Sequence, residues 1–454
     1  MTEKRVAPPS RRKPRVCVLG LGYIGLPTAS MFAVAGHPVV GVDPSPRVQE
    51  AVRSCRLHVE EPDLGTLVSA ALNSGRLAVQ VAPEPADVFV IAVPTPLVDD
   101  SKEADLSYVV RAAEDIRPHL RPGNLVILES TVPPGTTRDV LAPILARSGL
   151  APGRDVCVAH CPERVMPGRV LLELVENDRL AGGLTPVCAD RAARLYESFV
   201  KGAVIRTDAT TAEMAKVMEN TYRDVNIALA NELALIAERV GVDVWEAIRL
   251  ANRHPRVNVL RPGPGVGGHC IAVDPWFLVT AAPDVARLVR TARAVNDAMP
   301  RRVLERLADL VPPPAAVALL GVTFKADVDD VRESPALRIA ELAVARGYDV
   351  RLCDPHVAPG VHALPAPLLP LQRAVRDAEA VVLLVDHDAF KELDVDLVAA
   401  LASEKRLLDA RAALDHAAWR ARGFRVSVLG CGTRDAPILQ PVGAGPAEHD
   451  SASR

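Results

Sequence analysis

Aromatic residues are scarce: they make up 3% of the 454 residues, which argues against stacking platforms for nucleic-acid bases. Charge of one sign is also lacking. Lys and Arg total 53 against 56 Asp and Glu, a net charge of -3, so no broad basic field gathers nucleic acid or an anionic membrane. No apolar run reaches the roughly 18 to 20 residues that a membrane span needs. Neither a nucleic-acid partner nor membrane insertion is therefore expected. None of the eight cysteines forms a C-x-x-C pair. Their scatter fits a reducing compartment, and a cytoplasmic location is expected, with no metal site. The first 14 residues are basic, polar and proline-rich without an apolar core, so they read as a disordered leader rather than a signal peptide.

The first informative pattern comes directly after this leader. Residues 15 to 20 form a short apolar run, then come Gly20-Leu-Gly22-Tyr-Ile-Gly25, an apolar helical stretch to about Ala35, and a second apolar run, Val39 to Val42, ending at Asp43. This is the order strand, tight glycine turn, helix, strand, acidic tip. Gly20 permits the turn, Gly22 lets the backbone approach a pyrophosphate, and Gly25 allows close helix packing. The helix N-terminus then offers unpaired N–H groups to phosphates. Asp43 is placed to accept from ribose hydroxyls and would repel a 2′-phosphate, so NAD is expected rather than NADP.

Further strands are expected at Val88 to Val93, Leu125 to Glu129 and Val156 to Ala159. Thr95, Thr131 and Glu163 fall just beyond them, where open parallel sheets bind ligands. For the two threonines, helix capping is the alternative. Residues 209 to 240 read as one long helix with Gly241 as its C-cap, roughly 48 Å at 1.5 Å per residue. Lys216, Asn220 and Arg223 recur on one face of it, either as a binding surface or as a solvated stripe. The helix is also a natural spine and a possible dimer surface.

Next come Arg253, His254 and Arg256, a dense cationic cluster, and then Pro262-Gly-Pro-Gly-Val-Gly267-Gly-His-Cys270-Ile-Ala-Val-Asp274. A thiol beside a nicotinamide site becomes useful when a product aldehyde must be held covalently and oxidised again. Backbone N–H groups of the glycine-rich loop could stabilise an oxyanion. Asp274 shares a face with Cys270 if a helical turn starts there. Beyond it lies a second strand, loop, helix, strand series: Ala316 to Gly321, a loop with Phe324, Lys325 and Arg332, a helix to about Arg346, and a strand ending at Asp354. Later strands are expected at Val381 to Val385 and Arg406 to Asp409. This series lacks the G-x-G-x-x-G turn. Its Lys325 and Arg332 suit a phosphate-bearing ligand, so it reads as the seat of a nucleotidyl substrate.

Five strings carry a resemblance: Val18 to Thr28, His160 to Gly168, Thr211 to Lys216 with Glu219-Asn220, Asn252 to Arg256, and Pro262 to Trp276. Together they resemble the UDP-glucose/GDP-mannose dehydrogenase family over roughly residues 14 to 420. The implied fold is α/β, two Rossmann-like doubly wound parallel-sheet domains joined by a long central helix and a helical dimerisation region. The implied division is a leader at 1–14, an NAD-binding domain at 15–208, a central helical domain with the catalytic cysteine loop at 209–305, a UDP-sugar-binding domain at 306–435 and a disordered tail at 436–454. The resemblance implies Cys270 as nucleophile, Lys216 as acid/base, Asn220 as partner of the reacting oxygen, Asp274 as part of the hydrolytic or proton-relay apparatus, Glu163 near the thioester and its water, and Thr131 as a further catalytic-site residue. It places Tyr23, Ile24, Asp43, Thr95, Thr131 and Arg332 against NAD. It places Arg164, Val165, Arg223, His254, Arg256, Gly267, Phe324 and Lys325 against the UDP-sugar, together with Lys216 and Asn220. His254 and Arg256 are expected to reach a substrate in the neighbouring subunit of a homodimer.

Two departures bear on the substrate. Where UDP-glucose dehydrogenases resemble Pro-Glu-Phe-Leu-Arg-Glu, this chain has Pro162-Glu-Arg-Val-Met-Pro167; where they carry a lysine before the aspartate, it has Val273. Both match the N-acetylhexosamine branch. The expected reaction is four-electron oxidation of the sugar 6-hydroxyl to a carboxylate through a Cys270 thiohemiacetal and thioester. UDP-N-acetyl-D-mannosamine is the first substrate considered, UDP-N-acetyl-D-glucosamine the alternative, and UDP-glucose comes behind both. The rivals are a two-electron dehydrogenase with a merely buried Cys270 and a binding protein that has lost the chemistry.

Overall fold

The structure, a computed structural model, describes residues 12–57, 59, 61–98, 101–166, 168–358, 360 and 363–432. The expected disordered tail and all but the last three residues of the leader lie outside them. The described chain forms two compact units. The first comprises residues up to Ala228 with Val266–Ala298 and Asp330–Pro335; the second comprises Leu229–Gly265, Met299–Asp329 and the chain from Ala336 onward. The helical middle, 209 to 305, is thus shared between them.

The first unit holds eight strands: β1 (Val16–Leu19), β2 (Val39–Val42), β3 (Leu77–Gln80), β4 (Val88–Ile91), β5 (Leu125–Leu128), β6 (Cys157–His160), β7 (Arg179–Gly183) and β8 (Val204–Asp208). Their order is β3-β2-β1-β4-β5-β6-β7-β8. β1, β2, β4, β5 and β6 are buried along their whole lengths, as strands covered by helices on both faces must be. Every pairing is parallel except β6 with β7, which is antiparallel. That junction departs from a purely parallel sheet. The sequence reading passed over β3, β7 and β8, which alternate or carry polar residues instead of showing a continuous apolar run. Separate apolar clusters form the two faces, one around Phe32 and Tyr196, the other around Phe89 and Ile116.

The helix Ala209–Val240 matches the expected span. Asp208 caps its start by accepting from the Thr211 N–H at 2.9 Å. At its end Gly241 has φ +76° and the Val242 N–H reaches back to the Ala237 carbonyl, closing the helix as glycine termini do.

The second unit contains β9 (Ala316–Leu320), β10 (Asp349–Cys353), β11 (Ala380–Leu383), β12 (Arg406–Asp409) and β13 (Arg425–Val428), in the order β10-β9-β11-β12-β13 with all pairs parallel. Its core gathers Val381, Leu383, Phe390, Leu407 and Trp419. In both sheets the strand order reverses beside the first strand, between β1 and β4 and between β9 and β11, which makes a crevice at the carboxyl ends of those strands. Among the described residues no helix is long and apolar enough to cross a membrane.

Candidate active site

The glycine turn after β1 performs the three expected jobs. Gly20 has φ +90°, and a Cβ there would strike the Ala92 carbonyl beyond β4. A Cβ on Gly25 would strike the Gly20 carbonyl oxygen, so this glycine lets the first helix, Gly25–Val34, start against the turn. A Cβ on Gly22 would meet nothing within 4 Å, which leaves room for a pyrophosphate. Asp43, at the tip of β2, accepts from the Leu21 N–H at 3.0 Å and the Ser45 N–H at 2.9 Å. Ile24 immediately precedes the helix. The Tyr23 hydroxyl bonds Glu61, which also accepts the Gly168 N–H at 2.7 Å. Tyr23 meets the His269 ring edge-on at 6.3 Å. The donor set and the open turn fit a dinucleotide. Beyond β4 and β5, Thr95 donates its hydroxyl to the Thr131 carbonyl at 2.7 Å, tying the two strand tips together instead of capping a helix.

The proposed reactive groups converge in the first unit. The Cys270 carbonyl accepts from the N–H groups of Val273 (3.0 Å) and Asp274 (2.8 Å), so thiol and carboxylate lie one turn apart at the head of the helix Asp274–Ala281. Asn220, 7% exposed, donates to Asp274 at 2.5 Å. The solvated-stripe reading therefore fails for this part of the long helix. Arg223, a further turn along, is exposed in the single chain. Gly268, at φ +83°, donates its N–H to the Arg332 carbonyl at 3.2 Å, and the Arg332 guanidinium bonds Asp330 at 2.5 and 2.9 Å.

The electrostatics derive from burial. Desolvation pushes the Cys270 thiol up to about 11; Asp274 adds to this, while the Lys216 and Arg332 cations oppose it. Burial raises the Asp274 carboxyl to about 6, against the pull of Lys216 and the Asn220 hydrogen bond. Burial and the Arg332 charge lower His269 to about 4, so it is a neutral imidazole near pH 7. Asp274 is accordingly a base that forms within the physiological range.

Glu163 is held in a buried network. Its carboxylate accepts from the Arg164 N–H at 2.7 Å and from Arg179 at 2.8 Å, and Arg179 also pairs with Glu129 while lying over the Tyr196 ring at 3.9 Å. Arg164 pairs with Glu219 on the long helix at 2.5 Å, beside half-buried Val165. Sequence reasoning missed Arg179, Glu129 and His160. His160 ends β6 fully buried, and burial with the charges of Arg179 and Lys216 lowers it to about 3. Its place in the His160–Gly168 string was the available signal; Arg179 had none. Gly267 precedes Gly268 in the cysteine loop. His254 and Arg256 are exposed, and Phe324 and Lys325 are half-buried after β9; these four belong to the second unit.

Three domains of one family match this chain in order: the NAD binding domain over residues 14–200, the central domain over 210–298 and the UDP binding domain over 318–416. The chain belongs to the UDP-glucose/GDP-mannose dehydrogenase family. It is therefore an NAD-dependent nucleotide-sugar oxidoreductase. Among its relatives, a UDP-N-acetyl-D-mannosamine dehydrogenase of Methanocaldococcus jannaschii is 49% identical over 424 residues, covering 92% of this chain and 97% of the relative. An NDP-N-acetyl-D-galactosaminuronic acid dehydrogenase of Ralstonia solanacearum is 51% identical over 395 residues, or 84% and 92% of the two chains. The structure of a UDP-D-ManNAc dehydrogenase from Pyrococcus horikoshii matches with a TM-score of 0.84 at 42% identity, over 92% of this chain and 99% of that one.

Proposed function

We propose that this chain oxidises the 6-hydroxyl of a UDP-N-acetylhexosamine to the carboxylate in two hydride transfers, with UDP-N-acetyl-D-mannosamine as first substrate. The observation that carries the reading is the grouping of a thiol, a carboxylate raised to about 6 and an amide on one helical turn and the facing helix. NAD, held by the Gly20–Gly25 turn, Asp43 and the Thr95–Thr131 tips, supplies the hydride acceptor for each oxidation.

Asp274 takes the 6-hydroxyl proton in the first step, directly or through water, while Lys216 and Asn220 steady the developing alkoxide. Asp274 passes that proton to water; the Cys270 sulfur then adds to the aldehyde carbon while its thiol proton moves, by way of the Asp274 carboxylate, to the former carbonyl oxygen, giving a thiohemiacetal. Loss of the second hydride, with the hydroxyl proton passing through Asp274 to water, leaves the thioester. Water adds with Asp274 as base, and the sulfur leaves as the carboxylate forms. Because Glu163 already pairs with Arg179, its part in this reading is to position the Pro162–Arg164 turn beside the site. A homodimer is included. The long helix exposes Met214, Met218, Tyr222, Leu229, Ile236 and Val240 at helical spacing, an apolar stripe suited to a second copy.

The relatives named for N-acetyl sugars support the substrate class, as do the Pro162–Pro167 string and Val273. The 51% identity to the Ralstonia enzyme favours a second reading in which the galacto epimer is oxidised. An NADH assay over UDP-N-acetylmannosamine, UDP-N-acetylglucosamine, UDP-N-acetylgalactosamine and UDP-glucose, with product mass, decides. Two NADH per sugar and a 6-carboxylate are expected, fastest with the manno sugar. One NADH per sugar, or preference for UDP-glucose, refutes the proposal.

A further inference from the structure

In the second unit, three side chains with metal-ligand chemistry meet beyond the carboxyl ends of adjacent strands. Asp327 comes after β9, His356 after β10 and His387 after β11. One ligand atom from each lies within 4.8 Å of the other two. The Asp327 carboxylate oxygen is 3.4 Å from His356 Nε2 and 3.7 Å from His387 Nδ1. Zinc bonds to nitrogen and oxygen of about 2.0–2.2 Å at tetrahedral angles put neighbouring ligand atoms about 3.3–3.5 Å apart. Two edges of such a polyhedron are therefore already within a few tenths of an ångström of the required length.

The surroundings prepare the imidazole for a metal. His387 Nε2 faces Asp354 at 3.0 Å and the Thr323 hydroxyl at 3.2 Å, and the Asp327 N–H donates to Nδ1 at 2.9 Å. Those partners set the proton on Nε2, so Nδ1 carries the ring's lone pair, which accepts the Asp327 N–H. A carboxylate behind a histidine whose other nitrogen is free of a proton is the arrangement that orients metal-bound imidazoles. Asp354 steadies the second ligand too, accepting the His356 N–H at 2.9 Å. His387 is fully buried, whereas the side chains of His356 and Asp327 are 36% and 42% exposed, so water has access to a fourth position. Asp327 also accepts the Asp388 N–H at 3.0 Å, which fixes its carboxylate while leaving lone pairs over.

We propose that Asp327, His356 and His387 form a binding site for a zinc-class divalent cation, completed by water. Two imidazoles and one carboxylate select Zn²⁺ over Mg²⁺ or Ca²⁺, which prefer oxygen. On binding, the cation takes the Nδ1 lone pair that the Asp327 N–H now uses. The ion pins the segment from β9 to Asp327, which carries Phe324 and Lys325. Its effect on nucleotide-sugar affinity rests on the proposed function; the metal site does not.

The test uses full-length, tag-free protein stripped with chelator and titrated with Co²⁺, then Zn²⁺. One equivalent is expected to bind with tetrahedral visible absorption bands, and Zn²⁺ is expected to displace the Co²⁺. His356→Ala and Asp327→Ala, both at partly exposed positions, should lose that equivalent and keep the far-UV circular dichroism of the parent. Cys270→Ala should keep it. Sulfur-to-cobalt charge-transfer bands, an unchanged stoichiometry in His356→Ala, or binding weaker than about 100 µM overturns the site. If the metal binds and UDP affinity, read by calorimetry, does not change, the coupling to the loop is refuted while the site stands.

Discussion

The turns that open the two sheets share one backbone device and use it differently. After β1, Gly20 has φ +90°, its N–H bonds the Val42 carbonyl at 2.8 Å, and the Leu21 N–H bonds Asp43 at 3.0 Å. After β9, Gly321 has φ +93°, its N–H bonds the Cys353 carbonyl at 2.8 Å, and the Val322 N–H bonds Asp354 at 2.7 Å. A Cβ on either glycine would strike the chain just past the neighbouring strand, at Ala92 or Val385. The two turns differ in how soon a helix starts after them. In the first unit the helix begins at Gly25, which leaves the turn open to a ligand; among the described residues the Asp43 carboxylate bonds backbone N–H groups. In the second the helix waits until Pro335, and the intervening loop carries Phe324, Lys325 and Asp327. There Asp354 is buried against His387 and cannot turn to a ribose. The acidic tip is a strand-end feature in both sheets, and helix position decides whether it meets a ligand.

The comparison breaks most visibly at the cysteines. Cys270→Ala should lower uronate formation by more than about a thousandfold while NAD still binds, read by product mass and cofactor titration. Cys353, buried at the end of β10 and pushed up to about 12, is only packing. Cys353→Ala should leave kcat within about twofold and cost about 1 kcal/mol of stability. Equal losses in both variants would remove the special standing of the first unit.

Asp274→Asn comes next, with an expected loss of about a hundredfold in kcat. The proposed mechanism uses the carboxylate form, whose pKa is raised to about 6, so the wild-type rate should rise with pH through that value. The variant's residual rate should show no such limb; a limb that persists assigns the titration to another group. The two strand-tip aspartates then separate stability from binding. Asp354→Ala strips buried donors of their acceptor and should lower unfolding free energy by about 3 kcal/mol. Asp43→Ala should cost about 1 kcal/mol and show mainly in NAD affinity, by calorimetry. The glycine turn separates packing from binding in the same way. Gly25→Ala should destabilise by about 2 kcal/mol. Gly22→Ala should keep the parent's Tm yet weaken NAD about tenfold, a loss of about 1.4 kcal/mol.

The readable parts of the sequence were those whose physics is local. The Gly20–Gly25 turn, the strands at 39–42 and 406–409 and the helix at 209–240 depend on φ preference, apolar runs and caps that neighbouring residues supply. β3, β7 and β8 lacked such runs because at least one face of each carries polar or exposed positions. The Cys270–Asp274 turn was legible only as a condition, since four residues share a face only if a helix forms there. Arg179 could not be found at all: it stands 16 residues from Glu163 and 50 from Glu129 in the chain. The same holds for Asp327, His356 and His387, whose spacing matches no ligand motif.

By itself the sequence determined the order of strand, turn and helix, the choice of a dinucleotide at the first turn and the thiol at position 270, because steric and hydrogen-bonding rules act over a few residues. Only the tertiary structure decided that burial raises the Asp274 carboxyl to about 6, that Glu163 pairs with Arg179 and that Asp354 faces a histidine. Those outcomes come from desolvation and from charges brought close by strand order, and no stretch of neighbouring residues contains either.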